Sequence, residues 1–495
     1  MKLLNSLLVL TMSLSLFAQV QLGADIDGEA AYDESGWSVS LSNDGTIVAI
    51  AAPFNSGNGL EAGHVRVYGY SNGSWSQLGA DIDGEAAGDY SGASVSLSDD
   101  GTIVAIGAPF NSGSDTGSGH VRVYEYASGA WSQLGADIDG EAAGDKSGIS
   151  VSLSDDGTIM AIGAFNNSNG NGTDAGHVRV YQYASGSWSQ LGSDIDGEGA
   201  VDYSGNSVSL SDDGTIVAIG APNNSGSGIS SGHVRVYGYS NGSWSQLGAD
   251  IDAEAADDLS GQSVSLSDDG TIVAIGAYGN DGNGSWSGHV RVYGYSNGSW
   301  SQIGADIDGE AAGDRSGYSV SLSDDGTIVA IGAAYNGGNG SYAGHVRVYQ
   351  YASGAWSQLG ADIDGGAVND YSGFSVSLSD DGITVAIGAP HNGGSANTGQ
   401  VRVYERASGV GIEETSSLNL TSLKPNPNNG HFRIQVAQEQ VGSTYRIVDF
   451  LGRIIETGTI TKPSQDFDLS NNSKGLYRVQ VSNEKASKTL NVVIQ

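Results

Sequence analysis

The chain has 495 residues, a formal net charge of −36 and no cysteine. A disulfide scaffold, a thiolate metal site and a cysteine nucleophile are therefore excluded, and the negative charge disfavours nucleic acid and anionic membrane surfaces as partners. Glycine is abundant, at 77 residues, but 38% of the chain is hydrophobic and the apolar residues recur at regular places. This composition predicts a folded all-β protein with many turns.

The N-terminal segment has the pattern of a secretory signal peptide. Lys2 supplies a positive charge, residues 7–17 are apolar, and residues 16–18 form a cleavage site in front of Gln19. We therefore predict a signal peptide over residues 1–18 and an exported mature protein. Because no run of 18 apolar residues follows, we expect no membrane span.

One phrase, Gln-Leu-Gly-Ala-Asp-Ile-Asp-Gly, occurs seven times with small changes. Its copies begin at Gln21, Gln77, Gln133, Gln190, Gln246, Gln302 and Gln358, and successive starts lie 56 or 57 residues apart. A near-constant period of this length predicts a repeat architecture. Residues present in every copy are then expected to be scaffold, and function is expected where the copies differ.

Each repeat predicts four strands. The first alternates small polar and apolar residues and ends at an Asp-Asp-Gly turn, and the second is a mostly apolar run that is typical of a strand buried on both faces. The third alternates again, the fourth begins near a tryptophan, and an acidic connection leads to the next copy. In the second copy the predicted strands cover residues 94–98, 102–108, 120–126 and 131–138.

Seven such units predict a seven-bladed β-propeller, with four antiparallel strands in each blade. The seventh unit ends with its third strand at Tyr404, whereas the mature chain begins with a fourth strand over residues 20–26 that has no blade before it. We therefore expect the N-terminal strand to complete the last blade and close the ring, which removes the exposed sheet edge. A linear β-solenoid is the weaker alternative.

Residues 20–410 resemble the FG-GAP repeats of integrin α-chain propellers and bacterial surface proteins. In the second copy, residues 91–97 match the opening of that repeat, residues 105–109 match its Gly-Ala-Pro strand, and residues 119–124 match its third strand. The calcium loop of the integrin repeats is reduced here to residues 98–101. Calcium is therefore not expected at that turn.

The last eighty residues differ in composition and predict a small β-sandwich. They resemble the type A C-terminal sorting domain of the type IX secretion system of Bacteroidota, which implies passage across the outer membrane, contact with that machinery, and a secreted or cell-surface location. The residues that carry the resemblance are Pro425, Asn426, Pro427, Gly430, Asp449, Gly452, Arg453, Gly475 and Tyr477. The predicted domains are the signal peptide, the propeller over 19–409, a linker over 410–417 and the sorting domain over 418–495.

The acidic connections are the candidate metal site, because grouped carboxylates beside a glycine suit a hard cation such as Ca²⁺. The residues concerned are Asp25, Asp27, Glu29, Asp33, Asp81, Asp83, Glu85, Asp89, Asp306, Asp308, Glu310 and Asp314. The alternative is that these carboxylates solvate the loop, cap its turn or pair with an arginine of a neighbouring blade. Ala253 replaces the glycine in one copy and Gly366 replaces the glutamate in another, so the copies could not all bind alike.

The loops between the second and third strands differ among the copies, and they are expected on the same face of the ring as the acidic connections. Their aromatic residues Phe54, Phe110, Trp286 and Tyr342 lie among Asn and Gly, a composition suited to sugar stacking or protein contact. Filling of the loop is the alternative role for each ring. The histidines that recur once per copy, starting at His64, are interpreted as structural.

No nucleophile and base, phosphate loop or zinc motif stands above the repeat background. The sequence therefore predicts a non-enzymatic, exported binding or adhesion protein that uses one propeller face to hold a glycan or protein ligand. A secreted polysaccharide hydrolase or lyase on the same scaffold is the alternative, and a structural component of a surface layer is a third possibility.

Overall fold

The computed structural model describes residues 19–406, 420–424, 431–436, 441–449, 454–470, 474–482 and 487–494. The chain divides between Gly409 and Val410 into two units. The predicted signal peptide and the predicted linker lie outside the described residues, and so do Pro425, Asn426, Pro427, Gly430, Gly452 and Arg453.

The first unit is a seven-bladed β-propeller, as predicted, in which each blade is an antiparallel sheet. The inner strands, of blades 1 to 7 in order, are Ser38–Leu41, Ser94–Leu97, Ser150–Leu153, Ser207–Leu210, Ser263–Leu266, Ser319–Leu322 and Ser375–Leu378. The second strands are Ile47–Ala52, Ile103–Ala108, Ile159–Ala164, Ile216–Ala221, Ile272–Ala277, Ile328–Ala333 and Thr384–Ala389. The third strands are His64–Ser71, His120–Ala127, His177–Ala184, His233–Ser240, His289–Ser296, His345–Ala352 and Gln400–Arg406.

The fourth, outer strand of each blade is broken into two pieces. The longer pieces are Ser74–Gln77, Ala130–Gln133, Ser187–Gln190, Ser243–Gln246, Ser299–Gln302, Ala355–Gln358 and, in blade 7, Gln19–Gln21. The shorter pieces are Ile82–Asp83, Ile138–Asp139, Ile195–Asp196, Ile251–Asp252, Ile307–Asp308, Ile363–Asp364 and Ile26–Asp27.

The prediction of one continuous outer strand was therefore wrong. In blade 2 the break falls at Gly135, whose φ of +82° lies in the left-handed region that a strand cannot contain. A Cβ on this glycine would lie 2.7 Å from Cδ1 of Trp188 in the next blade. The glycine of the repeated phrase thus turns the strand and admits the neighbouring tryptophan.

The N-terminal strand closes the ring, as predicted. Gln19, Val20 and Gln21 pair antiparallel with Arg406, Glu405 and Tyr404 of blade 7. In the same blade, Ile26 pairs with Val401 and is buried among the apolar residues of blades 7 and 1. Blade 7 is therefore assembled from both ends of the propeller sequence.

The inner strands surround a central channel and are joined to one another by serine side chains. The hydroxyl of Ser40 accepts a hydrogen bond from the backbone N–H of Leu97 in the next blade, at 3.0 Å. The same bond, at 2.9–3.0 Å, occurs at all seven interfaces between blades. The alternating pattern of these strands thus places valine and leucine against the preceding blade and serine against the following one.

The apolar core lies between blades rather than inside one. For example, Val65 and Val67 from the third strand of blade 1 pack against Leu97 and Val104 of blade 2. The tryptophans, interpreted from the sequence as core residues, are half-buried at the edge of these clusters. Their indole N–H groups donate to a backbone carbonyl of the preceding blade, as Trp131 does to Leu78 at 2.7 Å.

The propeller has two distinct faces. The loop face carries the loops after the second strands and the connections between blades, which lie side by side: the N–H of Ser91 donates to the carbonyl of Ala62 at 2.9 Å. The turn face, at the other end of the inner strands, carries the Asp-Asp-Gly turns. The loops and the acidic connections thus share one face, as predicted.

The second unit is a small β-sandwich of two sheets. One sheet contains Leu420–Lys424, His431–Val436 and Ser464–Asp468, and the other contains Ile454–Thr459, Thr444–Asp449, Gly475–Ser482 and Ser487–Ile494. Phe432 and Phe467 of the first sheet form one buried core with Ile447 and Tyr477 of the second. Tyr477 of the sorting motif is therefore a core residue, and Asp449 is its partner across the strand pair.

Among the described residues, no helix is long and apolar enough to cross a membrane.

Removal of the closing strand tests its contribution to stability. A mature chain that starts at Gly28 instead of Gln19 leaves the edge of blade 7 unpaired and Val401 without the cover of Ile26. We expect the melting temperature to fall by about 5 °C or more, together with self-association through the open edge. Thermal unfolding and size-exclusion chromatography measure both effects. Val20→Ser, in an exposed position of the same strand, is the matched control, and an unchanged melting temperature in the truncated chain contradicts the closure argument.

Candidate functional site

An unbroken set of aromatic side chains curves across part of the loop face. Successive rings lie 4.6–5.9 Å apart between centroids. We call this set the aromatic crescent, and its members are Phe110, Tyr90, Phe54, Trp37, Phe374, Tyr318, Tyr278, Trp286, Tyr335, Tyr342 and Tyr371.

The centre of the crescent lies at the mouth of the channel. Trp37, Phe374 and Tyr318 each precede the inner strand of their blade, and their rings are 4.6 Å and 4.9 Å apart. Trp37 and Tyr318 line a channel space of about 250 Å³ together with the inner strands. In the other four blades this position holds Ala93, Ile149, Asn206 and Gln262. The mouth is thus aromatic on one side only, although the strands beneath it repeat in all seven blades.

The four aromatic residues predicted from the loops all belong to the crescent. Phe110, Trp286 and Tyr342 are its most exposed members, at 44%, 38% and 45%, and Phe54 is half-buried between Trp37 and Tyr90. The three central residues, Trp37, Phe374 and Tyr318, were not predicted, because each lies in a short segment before the inner strand that is otherwise the same in every copy. The available signal was that this segment begins with Ser-Gly and that the residue after the glycine changes from copy to copy.

Two cations lie against the crescent. The ammonium group of Lys146 is 3.7 Å from the ring centroid of Phe110, and the guanidinium of Arg315 is 3.9 Å from that of Tyr335. Both residues occupy the same place in the repeat, where Tyr90 and Tyr371 contribute rings instead. Cation–π attraction of this kind orders a basic side chain over an aromatic face.

A cleft of about 810 Å³ adjoins the crescent at Phe54. It lies between the connection that enters blade 1 and the loop after the second strand, and it is lined by Tyr32, Leu60 and Glu61. Tyr32 and Leu60 are 64% and 71% exposed, so the cleft adds accessible apolar surface to the aromatic one. Glu61 accepts a hydrogen bond from the hydroxyl of Tyr90 at 2.7 Å.

The carboxylates predicted to hold calcium have separate partners in the connection before blade 1. Asp25 accepts a hydrogen bond from Gln21, and Asp33 is buried and accepts from the backbone N–H of Ala30 and the side chain of Asn55. Asp27 is exposed at the end of its strand. The connections that contain Asp81, Asp83, Glu85 and Asp89, and Asp306, Asp308, Glu310 and Asp314, repeat the pattern, with Asp89 and Asp314 as the turn caps. Calcium binding stays a prediction.

The recurring histidines are buried at the start of the third strands. The side chain of His64 is 1% exposed, and its Nδ1 atom lies 3.8 Å from a carboxylate oxygen of Asp81. Burial lowers the pKa of His177 and His289 to about 4, and the nearby positive charges of Arg179 and Arg291 add to the effect. These imidazoles are therefore neutral at pH 7.

A ring of aspartates closes the turn face of the channel. The first residue of each Asp-Asp-Gly turn donates its backbone N–H to the same residue of the next blade at 2.9–3.1 Å. The ring contains Asn43, Asp99, Asp155, Asp212, Asp268, Asp324 and Asp380. Burial, reinforced by neighbouring carboxylates, raises the pKa of Asp212 and of Asp324 to about 9 and that of Asp155 to about 7. The sequence suggested only a turn here, because the convergence of seven copies depends on the propeller geometry.

Comparison with known proteins bears on both units. Residues 422–495 match the Secretion system C-terminal sorting domain family, and residues 251–293 match the FG-GAP repeat family. The chain carries an FG-GAP repeat at residues 251–293 and a secretion sorting domain at residues 422–495. Both resemblances found in the sequence are thus confirmed. The sorting domain indicates export to the cell surface or the medium and contact with the secretion machinery.

Two solved structures are similar in fold. One is a candidate 6-phosphogluconolactonase from Bacteroides uniformis, at 14% identity and a TM-score of 0.47, and the other is the periplasmic gluconolactonase PpgL of Pseudomonas aeruginosa, at 16% and 0.46. Each similarity covers 66% of this chain and 85% of the other. At these TM-scores neither structure carries an argument about the present chain. No curated protein matches its sequence.

The raised pKa values in the aspartate ring predict that the free energy of unfolding falls as the pH rises. Because the pKa of Asp212 is raised, the folded protein keeps a proton that the unfolded chain loses above about pH 4, so stability declines between about pH 4 and pH 9. Asp212→Asn, which copies the natural Asn43, removes the contribution of this residue to the decline. We expect its melting temperature to exceed that of the wild type by about 2 °C at pH 8 and to equal it near pH 4.

The matched control is the next residue of the same turn. Although burial opposes it, hydrogen bonds from Thr215 and Ser211 lower the pKa of Asp213, so its charged form stabilises the fold. Asp213→Asn is therefore expected to lower the melting temperature at pH 8. Thermal unfolding of both variants across the pH range measures the two effects, and equal shifts of the same sign contradict the assignment.

Proposed function

We propose that the protein is a non-enzymatic binding protein of the cell surface or the medium, whose aromatic crescent holds a glycan. The observation that carries the proposal is the continuity of the crescent across the loop face and the channel mouth. Exposed aromatic rings present flat apolar faces that stack on the apolar faces of sugar rings, while their edges remain close to water. A row of such rings suits an extended chain better than a single small molecule.

The residues around the crescent support a polar, extended ligand. The loops after the second strands of blades 5 and 6 carry exposed amide side chains, because Asn283 lies three residues before Trp286 and Asn339 lies three residues before Tyr342. Amide side chains and backbone groups of such loops can donate to and accept from sugar hydroxyls. Lys146 and Arg315 add positive charge at two points of an otherwise acidic propeller, which favours a glycan with acidic groups.

Export places a binding surface of this kind where extracellular glycans occur. The sorting domain follows the propeller in the chain, so the propeller is the part that is delivered. We therefore propose adhesion to, or retention of, a polysaccharide outside the cell as its role. A protein ligand and a polysaccharide hydrolase or lyase are the competing assignments that the experiment below separates.

Binding to a panel of neutral and acidic polysaccharides tests the proposal with the purified mature chain. We expect saturable binding to at least one polysaccharide and no release of reducing ends or unsaturated products. Phe374→Ala at the centre and Phe110→Ala at an exposed end each remove one stacking ring, and each is expected to weaken binding roughly tenfold. Calorimetry or affinity electrophoresis measures the change, and thermal unfolding verifies that the variants are folded.

The control variant is Tyr203→Ala. Tyr203 occupies the same place in the repeat as Tyr90, and it contacts Phe165 at 5.4 Å in blades that the crescent does not reach. We expect this variant to bind like the wild type. Equal losses in all three variants, or no binding to any polysaccharide, contradict the crescent as a glycan site, and released sugar products point to the hydrolase or lyase.

A further inference from the structure

At six of the seven interfaces between blades, a buried histidine faces two carboxylates. In blade 1, His64 and Asp81 belong to that blade, whereas Glu29 lies on the connection that leaves blade 7. One ligand atom from each of the three residues lies within 4.8 Å of the other two. The equivalent clusters are Glu85, His120 and Asp137; Glu141, His177 and Asp194; Glu198, His233 and Asp250; and Glu254, His289 and Asp306. In the sixth, His345 lies 3.7 Å from Asp362, and Glu310 faces Arg347.

Each carboxylate of a cluster has one oxygen bound by the scaffold and one oxygen turned toward the histidine. Oδ1 of Asp137 accepts from Gln133 at 2.6 Å, and Oδ2 lies 4.0 Å from Nδ1 of His120. Oε1 of Glu85 lies 3.6 Å from Arg122, and Oε2 lies 4.0 Å from the same Nδ1 atom. Outer partners of this kind fix the orientation of metal ligands.

The Nδ1 atom of each histidine faces the carboxylates of its cluster. The six histidine side chains are only 1–2% exposed. Their Nδ1 atoms lie 3.7–4.0 Å from an oxygen of the aspartate in the same cluster, which is too far for a hydrogen bond. Among the described residues, Nε2 of His64, His177 and His289 also has no partner. A buried imidazole without hydrogen bonds is costly, which indicates that packing alone is a poor account of it.

These distances fit a small divalent cation bound between the three residues. Zinc lies 2.0–2.2 Å from nitrogen and oxygen ligands, which places ligands about 3.4 Å apart in a tetrahedral site. The carboxylates are 29–51% exposed, so their side chains are free to move the ångström or so that the site requires. An imidazole ligand favours zinc and similar transition metals over calcium and magnesium, which prefer oxygen alone.

The seventh interface, between blades 6 and 7, lacks the histidine and the glutamate but keeps the arginine, so it shows which of these residues depend on one another. There Gln400 takes the place of the histidine and Gly366 takes the place of the glutamate. The arginine is kept: Arg402 donates to the carbonyl of Asp364 and to the hydroxyl of Ser372. Because the arginine persists without the glutamate, the glutamate is not required by the arginine. It is present where the histidine is present, as two ligands of one ion would be.

We propose that the Glu-His-Asp clusters bind Zn²⁺, and that each ion joins two successive blades through a glutamate of one and the histidine and aspartate of the next. Three protein ligands leave a fourth position for water. The ring thus has six metal-linked interfaces and one, between blades 6 and 7, without metal. This site differs from the calcium prediction, which placed the ion within a single connection.

Zinc titration of the full mature chain, freed of metal with a chelator, tests the proposal. Calorimetry and metal analysis after desalting are expected to give about six ions per chain and a rise in melting temperature, because a ligand that binds only the folded state stabilises it. Asp137→Asn, at an exposed position, is expected to reduce the stoichiometry by one. Calcium at the same concentration is expected to give neither effect.

A gain of one site provides the matched control. Gly366→Glu combined with Gln400→His restores both missing residues at the seventh interface and is expected to add one ion, whereas Gln400→His alone is expected to add none. Fewer than about five zinc ions on the wild type, an unchanged stoichiometry in Asp137→Asn, or equal stabilisation by calcium overturns the proposal. None of these results depends on glycan binding, so the two proposals fail separately.

Discussion

The inner strands have a free edge, and the fold depends on how that edge is satisfied. Each inner strand pairs with only one strand of its own blade, which leaves a row of backbone groups at the channel without a sheet partner. A serine hydroxyl from the neighbouring blade accepts from the leucine N–H at every interface, and the backbone of the aspartate ring bonds from blade to blade below it. The valines and leucines between these bonds fill the space between blades. A blade is therefore complete only when both of its neighbours are present.

That constraint separates the positions that can vary from those that cannot. The inner strand, the turn glycine and the outer tryptophan each touch a neighbouring blade, so they repeat almost unchanged. The positions on the loop face that differ among the copies include those of Tyr90, Trp37 and Phe54. The crescent is built at these positions and at those of Tyr278 and Trp286, on a scaffold that already holds their backbones in place.

The sequence predicted the architecture well because its signals are local and repeated. Alternation of polar and apolar residues located the inner strand, and the displaced copy at Gln21 indicated that the ring closes through blade 7. The break at Gly135 was missed, because a glycine within an otherwise regular phrase does not reveal a positive φ. The strand count was therefore predictable, and the shape of the outer strand was not.

The candidate sites were less predictable, because they join residues from different copies. Trp37, Phe374 and Tyr318 are far apart in the chain and meet only because three adjacent inner strands start at the same mouth. His64 looked structural when the histidines were compared with one another around the ring. Its partner Glu29 lies on the connection that leaves blade 7, and its partner Asp81 lies at the break in the outer strand of blade 1, so only the folded ring brings the three together.

The closing strand also sets an order of events during biogenesis. Gln19 is the first described residue of the propeller and its partner Arg406 is the last, so the ring cannot close until the whole propeller sequence has been made. The closing strand has no partner until the third strand of blade 7 is present. The sorting domain follows Arg406 in the chain, so every strand of the ring is present before the export signal is complete.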